Sequence, residues 1–571
     1  MTYDDIRAAA ARLTASGQPW ELADATIDGV AFRVFRNAPE NLRELYRSSL
    51  AFADRDFYVF EDERYTFADA WNAAARVAVA LQRHGVRPGD RVGIAMRNYP
   101  EWIFAFMGIT CAGAITVAMN GWWTREELEY GLDDSGARLL FADAERLERL
   151  AGRLRSREVA AVGVRLPADR ARALDAIPWE RFVPAQAEQM PDVTIPADTN
   201  ASIIYTSGST AHPKGVLATH RSIIHAVFGW ECGAVIAADL FPGLVDPNPE
   251  FPPAMILSVP LFHVSGLNVQ LMSSYRGGRK LVGMYKWDPE KALQLIEAER
   301  ITQFNGVPTM SWEMVQSPNF RTYDLRSLKT MGGGGAAMPP EHSRQISSEL
   351  ASGVPGTGYG MTETNGLATS ISGADLLARP RSCGRPIPPI VEIRVVDDAG
   401  VELARGEQGE IWIRGPMNFR GYWKNPAATK ETMSDGWVHS GDIGYMDEER
   451  FVFITDRKKD MVIRGGENIG CQEVEAVIYD HPDVSECAVF GVPDDRLGEA
   501  LAAVVVPKPD RSLDAAAIQA HVAAHLAKFK VPERVWVRTE RLPRIASEKI
   551  YKRGIREEAL RMLRDEGETK T

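Results

Sequence analysis

IIYTSGSTAHPKGV, running from Ile203 to Val216, is the stretch on which the reading of this chain turns. Ile203, Ile204 and Tyr205 read as the end of a buried strand, and Thr206, Ser207, Gly208, Ser209 and Thr210 then crowd hydroxyls and glycine into a tight turn. Such a turn suits a polyphosphate. Glycine lets backbone N–H groups approach an anion, hydroxyls donate further hydrogen bonds, and Lys214 adds a positive charge. A helix expected to start near Thr219 or His220 would add the positive end of its dipole. A Walker A loop is excluded, because it needs Gly-Lys-Ser/Thr, whereas Lys214 lies between Pro213 and Gly215.

Working outward, 571 residues suggest three or four structural units, and 45% hydrophobic with 25% charged residues is an ordinary globular composition. A net charge of −11 argues against a nucleic-acid partner, since phosphate backbones need a basic face. Five scattered cysteines without a CxxC pair point to a reducing, cytoplasmic setting with no disulfide framework or zinc site. The acidic N-terminus MTYDDIRAAAARL reads as an amphipathic helix rather than a signal peptide. Ile103 to Met119 is nearly all apolar yet too short to span a bilayer, and reads as a core helix turning into a strand. No transmembrane segment is expected; peripheral membrane contact stays open.

Strands alternating with helices through the first half predict a mostly parallel sheet, with a capping box at Thr124 and Glu127. The five prolines between Asp239 and Pro253 predict a surface loop. MILSVPLFHVSG is expected to be a strand bringing His263 to its end, and Gly332 to Gly335 in MGGGGAAMPPE to be a break that leaves open space, enough for a flat ring to approach. GTGYGMTETNG (Gly356 to Gly366) reads as a strand and turn. Later segments alternate as a smaller distorted sheet in which GWVHSGDIGYMD puts Asp442 in a turn. Asp456 to Asp460 (DRKKD) is a charge run, and LPRIASEKIYKRG closes a small α+β unit.

Taken together, the ordered motifs from about residue 40 to 558 resemble the adenylate-forming superfamily: acyl-CoA synthetases, aryl-CoA ligases, beetle luciferases and peptide-synthetase adenylation domains. The resemblance implies an α/β and α+β fold. Residues 1–455 would form a large domain of parallel and mixed sheets with a distorted β-barrel-like part, 456–460 a hinge, and 461–571 a small mobile domain. It implies ATP, Mg2+ and coenzyme A as small-molecule partners alongside a carboxylic acid, and makes a homodimer conceivable.

Residue by residue, the resemblance places the ATP phosphates on Thr206 to Thr210 and Lys214. Gly335, Ala336 and Ala337 would border the adenine, as would Gly358, Tyr359, Gly360 and Met361, with the Tyr359 ring as its platform. Thr362 would reach the α-phosphate, and Glu363 would offer a hard oxygen to Mg2+. Asp442 would accept both ribose hydroxyls. Arg457 would touch ribose or phosphate, and Lys459 would stand at the pivot. His263 would shape the carboxylate pocket, Gly465, Gly466 and Glu467 would line a pantetheine tunnel, and Lys549 would be the catalytic lysine, with Lys552 in competition. Phe228, Trp230 and Cys232 are candidate walls of the acyl pocket; their apolar run favours a fatty or aryl acid over an amino acid.

Three departures stand out. Ala211 and Ala337 replace a usual glycine and proline, and Glu548 stands where glycine is usual, beside Lys549. Transfer of the acyl group to a carrier protein, luciferase-like oxygenation and a non-catalytic nucleotide binder are the rival readings.

Overall fold

A computed structural model describes residues 2–186, 188–206, 213–241, 250–336, 338–350, 353–464, 467–494, 496–545 and 548–568. Two large sheets dominate. In the first, parallel strands Asn200–Thr206, Ile115–Ala118, Arg91–Ala95, Leu139–Asp143, Ala160–Val164 and Ala176–Pro178 lie side by side, and Lys214–Thr219 and Gly421–Tyr422 add an antiparallel edge. The second holds nine strands, with Val354–Tyr359, Thr330–Gly334, Gln303–Gly306, Ala254–Leu257, Lys280–Gly283 and Asp56–Phe60 parallel at its centre.

The largest core lies between these sheets and takes in the helices Phe67–Arg83, Pro100–Cys111 and His220–Leu240. This explains the long apolar run: Trp102 to Cys111 are buried within a helix, and Ile115–Ala118 is a buried strand. Gly108 lets two helices approach closely, since a Cβ there would lie 2.5 Å from Val77 Cγ1. The helix His220–Leu240 is long and apolar enough to cross a membrane, but Ile224, Phe228, Cys232 and Ile236 are packed in this core. Its own start is a capping box: Thr219 Oγ1 accepts from Ser222 N–H and Ser222 Oγ from Thr219 N–H, each at 3.0 Å.

A third, antiparallel sheet contains Glu392–Val396, Gly409–Arg414, Trp437–Met446 and Val452–Arg457, matching the smaller distorted sheet expected from the alternating pattern. The C-terminal part builds a sheet around the antiparallel pair Val484–Asp494 and Gly498–Pro507, with Arg534–Val537 parallel to the latter. Helices Cys471–Tyr479 and Ala515–His525 cover one face, and among the described residues its apolar clusters contain no side chain from the large sheets. The fold is therefore mixed α/β, as the strand–helix alternation predicted.

Three local expectations are overturned. The helix begins at His220, as expected, but the strand Lys214–Thr219 intervenes, so Thr219 stands beside Asn200 and about 17 Å from Lys214. A helix dipole fades within a turn and does not reach Lys214. The glycine run is not a break either. Residues Thr330–Gly334 form a central strand, and a Cβ on Gly332 would meet Gly356 O at 2.2 Å while one on Gly333 would meet Gly306 O at 2.7 Å. His263, finally, lies past the strand: pairing ends at Leu257, and the chain turns at Pro260 before the helical stretch Ser265–Leu271. Of the Asp239–Pro253 loop, Asp239 and Leu240 are still helical, and 242–249 fall outside the described residues.

Candidate active site

Parallel strands deliver their functional residues at their C-terminal ends, and Thr206, Gly334 and Tyr359 all end such strands. Tyr359 donates its phenol O–H to Asp442 Oδ2 at 2.6 Å, and Arg457 Nε lies 3.1 Å from Asp442 Oδ1. Asp442 is not in a turn. It is paired directly across the sheet with Arg457, inside the strand Trp437–Met446, after the positive-φ Gly441 kinks the strand. Cross-strand register thus makes this ion pair. Burial pushes the Asp442 carboxyl upward, and the Arg457 guanidinium opposes that shift. A carboxylate has about four lone-pair sites, so Asp442 keeps capacity for a diol.

The tight turn Met361–Asn365 carries Thr362 and Glu363, both buried. Met361 N–H donates to Thr364 Oγ1 at 3.1 Å, Phe419 N–H to Glu363 O at 2.7 Å, and Asn365 Nδ2 to Met417 O at 2.7 Å. Asn365 has φ +51°, a conformation asparagine tolerates well. Glu363 Oε1 accepts from the Tyr422 phenol at 2.6 Å, and burial raises this carboxyl above its usual range. An acid so desolvated, with a neutral phenol as its direct partner, fits a hard cation such as Mg2+.

Tyr422 is the residue that the sequence reading missed. It sits on the edge strand paired with Lys214–Thr219, and Lys214 Nζ stands 4.9 Å from its ring centroid. One tyrosine therefore touches both the lysine and the acid. Only the glycine-flanked position in FRGYW hinted at it. Thr206 and Lys214 pair as the last residues before the loop; Ser207, Gly208, Ser209, Thr210, Ala337, Gly465 and Gly466 lie outside the described residues.

From the C-terminal part, Lys549 reaches across to Gly335. A Cβ on Gly335 would lie 3.1 Å from Lys549 Cε and 3.2 Å from Nζ, and Gly335 itself has φ +78°. Desolvation, reinforced by the charge of Arg457, lowers the Lys549 ammonium to about 8. His263 is held neutral, its pKa lowered to about 3 by burial and by Lys549. Ser265 N–H points to its Nδ1 at 3.4 Å, which leaves the proton on Nε2. Lys552 is placed elsewhere: its Nζ pairs with Glu475 Oε1 at 2.6 Å inside the C-terminal unit. Lys459 is exposed on the turn between Val452–Arg457 and Val462–Arg464.

The remaining candidates separate in the same way. Gly358 and Gly360 are demanded by close main chain, at 2.9 Å from Thr369 O and 2.3 Å from Gly366 O to a built Cβ. Ala336 is exposed beside Gly335. Of the three pocket-wall candidates, Trp230 lies against Gly358, with Cη2 3.4 Å from a Cβ built there. Phe228 instead packs on Trp20 and Phe35 at 5.5 and 5.7 Å, and Cys232 is fully buried in the same core, because positions four apart share a helix face.

Cations converging on an acidic patch at the ends of parallel strands, together with a lysine brought in from a separate C-terminal unit, are what adenylate-forming enzymes require. The AMP-binding enzyme pattern matches residues 45–423, and that of the AMP-binding enzyme C-terminal domain matches 473–549. The chain belongs to this family, within its acid–CoA ligases. It is 35% identical to a feruloyl-CoA synthase of Amycolatopsis sp over 492 residues, which is 86% of this chain and 93% of that one. It is 31% identical over 551 residues to a long-chain-fatty-acid–CoA ligase of Bacillus subtilis, covering 90% and 93%. The solved o-succinylbenzoate CoA synthetase of Bacillus subtilis, in complex with its acyl-adenylate intermediate, superposes with a TM-score of 0.74 at 27% identity, covering 90% and 97%.

Proposed function

We propose that this protein joins a fatty or aryl acid, of medium to long size, to coenzyme A in two steps through an acyl-adenylate. The observation that carries the reading is Lys549 seated on Gly335, in the same site as the Asp442–Arg457 pair. In the first step the substrate carboxylate attacks the α-phosphorus of ATP, forming the mixed anhydride and releasing pyrophosphate. A carboxylate is already ionised at neutral pH, so no general base is needed. The stretch from Thr206 to Lys214 holds the β- and γ-phosphates, Tyr359 carries the adenine, and Asp442 holds the ribose. Lys549 and Thr362 stabilise charge on the α-phosphate, and neutral His263 borders the carboxylate. Glu363 would hold Mg2+, which when bound neutralises charge on the phosphates.

In the second step the thiol of coenzyme A attacks the acyl carbonyl and AMP leaves. The Lys549 loop fills the approach, so residues 461–571 must turn about 456–460 to admit the thiol, with Lys459 at the pivot and Gly465 and Gly466 along the pantetheine path. An acid without an ammonium group is favoured, because Trp230, not a carboxylate, lies beside Gly358. Five free thiols accord with a reducing cytoplasm.

Pyrophosphate release with and without coenzyme A, across fatty, aromatic and amino acids, tests the reading beside Lys549→Ala. Acid-dependent release ending in a CoA thioester, and lost in the variant, is the expected result. Adenylate that accumulates despite coenzyme A would shift the acceptor to a carrier protein. ATP binding without release by any acid would leave a nucleotide binder.

A further inference from the structure

The loop that carries Lys549 is tied to the large N-terminal part by charges the chemistry does not use. Glu313, on the helix Pro308–Val315, is 13% exposed and accepts from Trp287 Nε1 at 2.7 Å. Its other oxygen receives the Arg541 guanidinium and lies 3.7 Å from Arg544 Nη2. Arg544 is 12% exposed and extends the path inward: Nη2 lies 2.6 Å from Glu486 Oε1, and Nη1 donates to Glu548 O at 3.1 Å. Glu486 Oε2 in turn accepts from Leu542 N–H at 2.8 Å. The turn is closed by Ile545 N–H to Lys549 O at 2.9 Å and Glu548 N–H to Ile545 O at 2.8 Å.

Resting on the two-step reading above, we infer that Glu313 is a positioning residue, the fixed half of an ionic latch that engages Arg541 and Arg544 and so seats Lys549 for adenylation. The distribution of partners supports a latch over a permanent joint. Glu313 and Glu486 face the two guanidiniums, and the neighbouring Glu548 carboxyl is offset by Lys286, so the closed state is balanced. When the C-terminal part leaves, Arg544 keeps Glu486, Glu313 keeps Trp287, and Arg541, already 65% exposed, enters water. No charge is stranded in either position, which a fixed buried pair would not allow. The latch therefore favours the adenylation position without blocking release.

The half-reactions test this directly. Glu313→Gln, which loses both guanidiniums from a largely buried carboxylate, should lower acid-dependent ATP–pyrophosphate exchange by about 10-fold or more, and Arg541→Gln, at a 65% exposed position, by about 2- to 5-fold. Thioester formation from supplied acyl-adenylate and coenzyme A should stay within about twofold. The double variant should be no slower than the slower single one. Equal loss in both half-reactions, an unchanged exchange rate, or multiplicative effects of the two substitutions would overturn the proposal. Hydrogen exchange supplies a readout independent of turnover: amides of 541–550 should exchange faster in Glu313→Gln, and equal protection would count against the latch. If wild-type protein forms no adenylate with any acid, the proposed function fails, while this comparison still decides the latch. If Glu313→Gln does not fold, Arg541→Gln carries the test from an exposed position.

Discussion

Glu548 offers a sharp test of how a departure from the family pattern is accommodated. Its φ of +63° lies in the left-handed region, where a side chain costs about 1–2 kcal/mol relative to ordinary helical backbone. Glycine removes that strain but loses about 0.4–1 kcal/mol through the freer unfolded chain. Glu548→Gly should therefore stabilise the C-terminal unit by about 0.5–1 kcal/mol from the backbone alone. The carboxylate adds a separate effect. Burial raises its pKa, partly opposed by Arg544, so the folded state holds the proton more tightly than the unfolded chain. Stability from this group is present below its unfolded pKa and lost as pH rises through the folded value, which makes the charged form a burden at pH 7. Glu548→Ala removes the charge but keeps the strained φ, so the difference between the two variants isolates the backbone. Hydrogen exchange at Glu548 and Ile545 should be slower in the glycine than in the alanine variant by about 2- to 5-fold, with adenylation undiminished. Equal protection in the two variants would refute the strain argument.

Gly332→Ala should cost at least about 3 kcal/mol, because its Cβ would press on Gly356 O, whereas Gly334→Ala, with Gly358 O at 3.3 Å, should stay within about 1 kcal/mol; denaturant midpoints separate them. Lys552→Ala should destabilise the C-terminal unit by about 1–2 kcal/mol by taking the cation from Glu475, which keeps the Val489 N–H at 2.8 Å, less than a fully buried pair since Lys552 is 31% exposed. Lys549→Ala should leave the melting curve intact while adenylation falls about 100-fold or more, so the two lysines part in a paired melt and exchange assay. With the Lys549 ammonium at about 8, kcat/KM for ATP should fall with unit slope above that pH, as the lysine loses its proton. Saturating ATP should move the fall upward, and Lys549→Arg should abolish it whatever activity it retains.

What could be read from the sequence was whatever depends on neighbours along the chain. The strand ending at Tyr205 and Thr206, the helix start at Thr219, the capping box at Thr124 and the buried run from Ile103 each depend on one short stretch of chain, and each lies where its pattern indicated. Short motifs single out Lys549 and Asp442, and the structure places Lys549 beside Gly335 and Asp442 beside Tyr359. Register was not legible. Gly332 to Gly335 looked like a break because four glycines favour no strand, yet Gly332 to Gly334 are in one, with Gly332 and Gly333 packed too closely on Gly356 and Gly306 for a larger residue, and tertiary contact overrides propensity. Asp442 looked like a turn residue because Gly441 precedes it, while the pairing with Arg457 exists only once two strands align.

Tyr422 belongs to the same category, and it changes how the site is understood. It meets Glu363 and Lys214 from an edge strand that pairs with Lys214–Thr219, so its position depends on an alignment some two hundred residues apart in the chain. In the proposed function Lys214 and Glu363 serve one polyphosphate, and they must not neutralise each other before it arrives. A tyrosine between them can present its ring face to the ammonium and its hydroxyl to the carboxylate, satisfying both without forming an ion pair. Replacing Tyr422 with phenylalanine keeps the ring and removes the hydroxyl, leaving Glu363 buried without that donor. The acid should then rise further in pKa and hold its proton against a cation, so the metal concentration for half-maximal adenylation should increase about 10-fold, the equivalent of one lost charge-assisted hydrogen bond. Because the ring remains over Lys214, KM for ATP at saturating metal should change less than about 3-fold, and a larger change there would show that the hydroxyl serves the nucleotide rather than the acid.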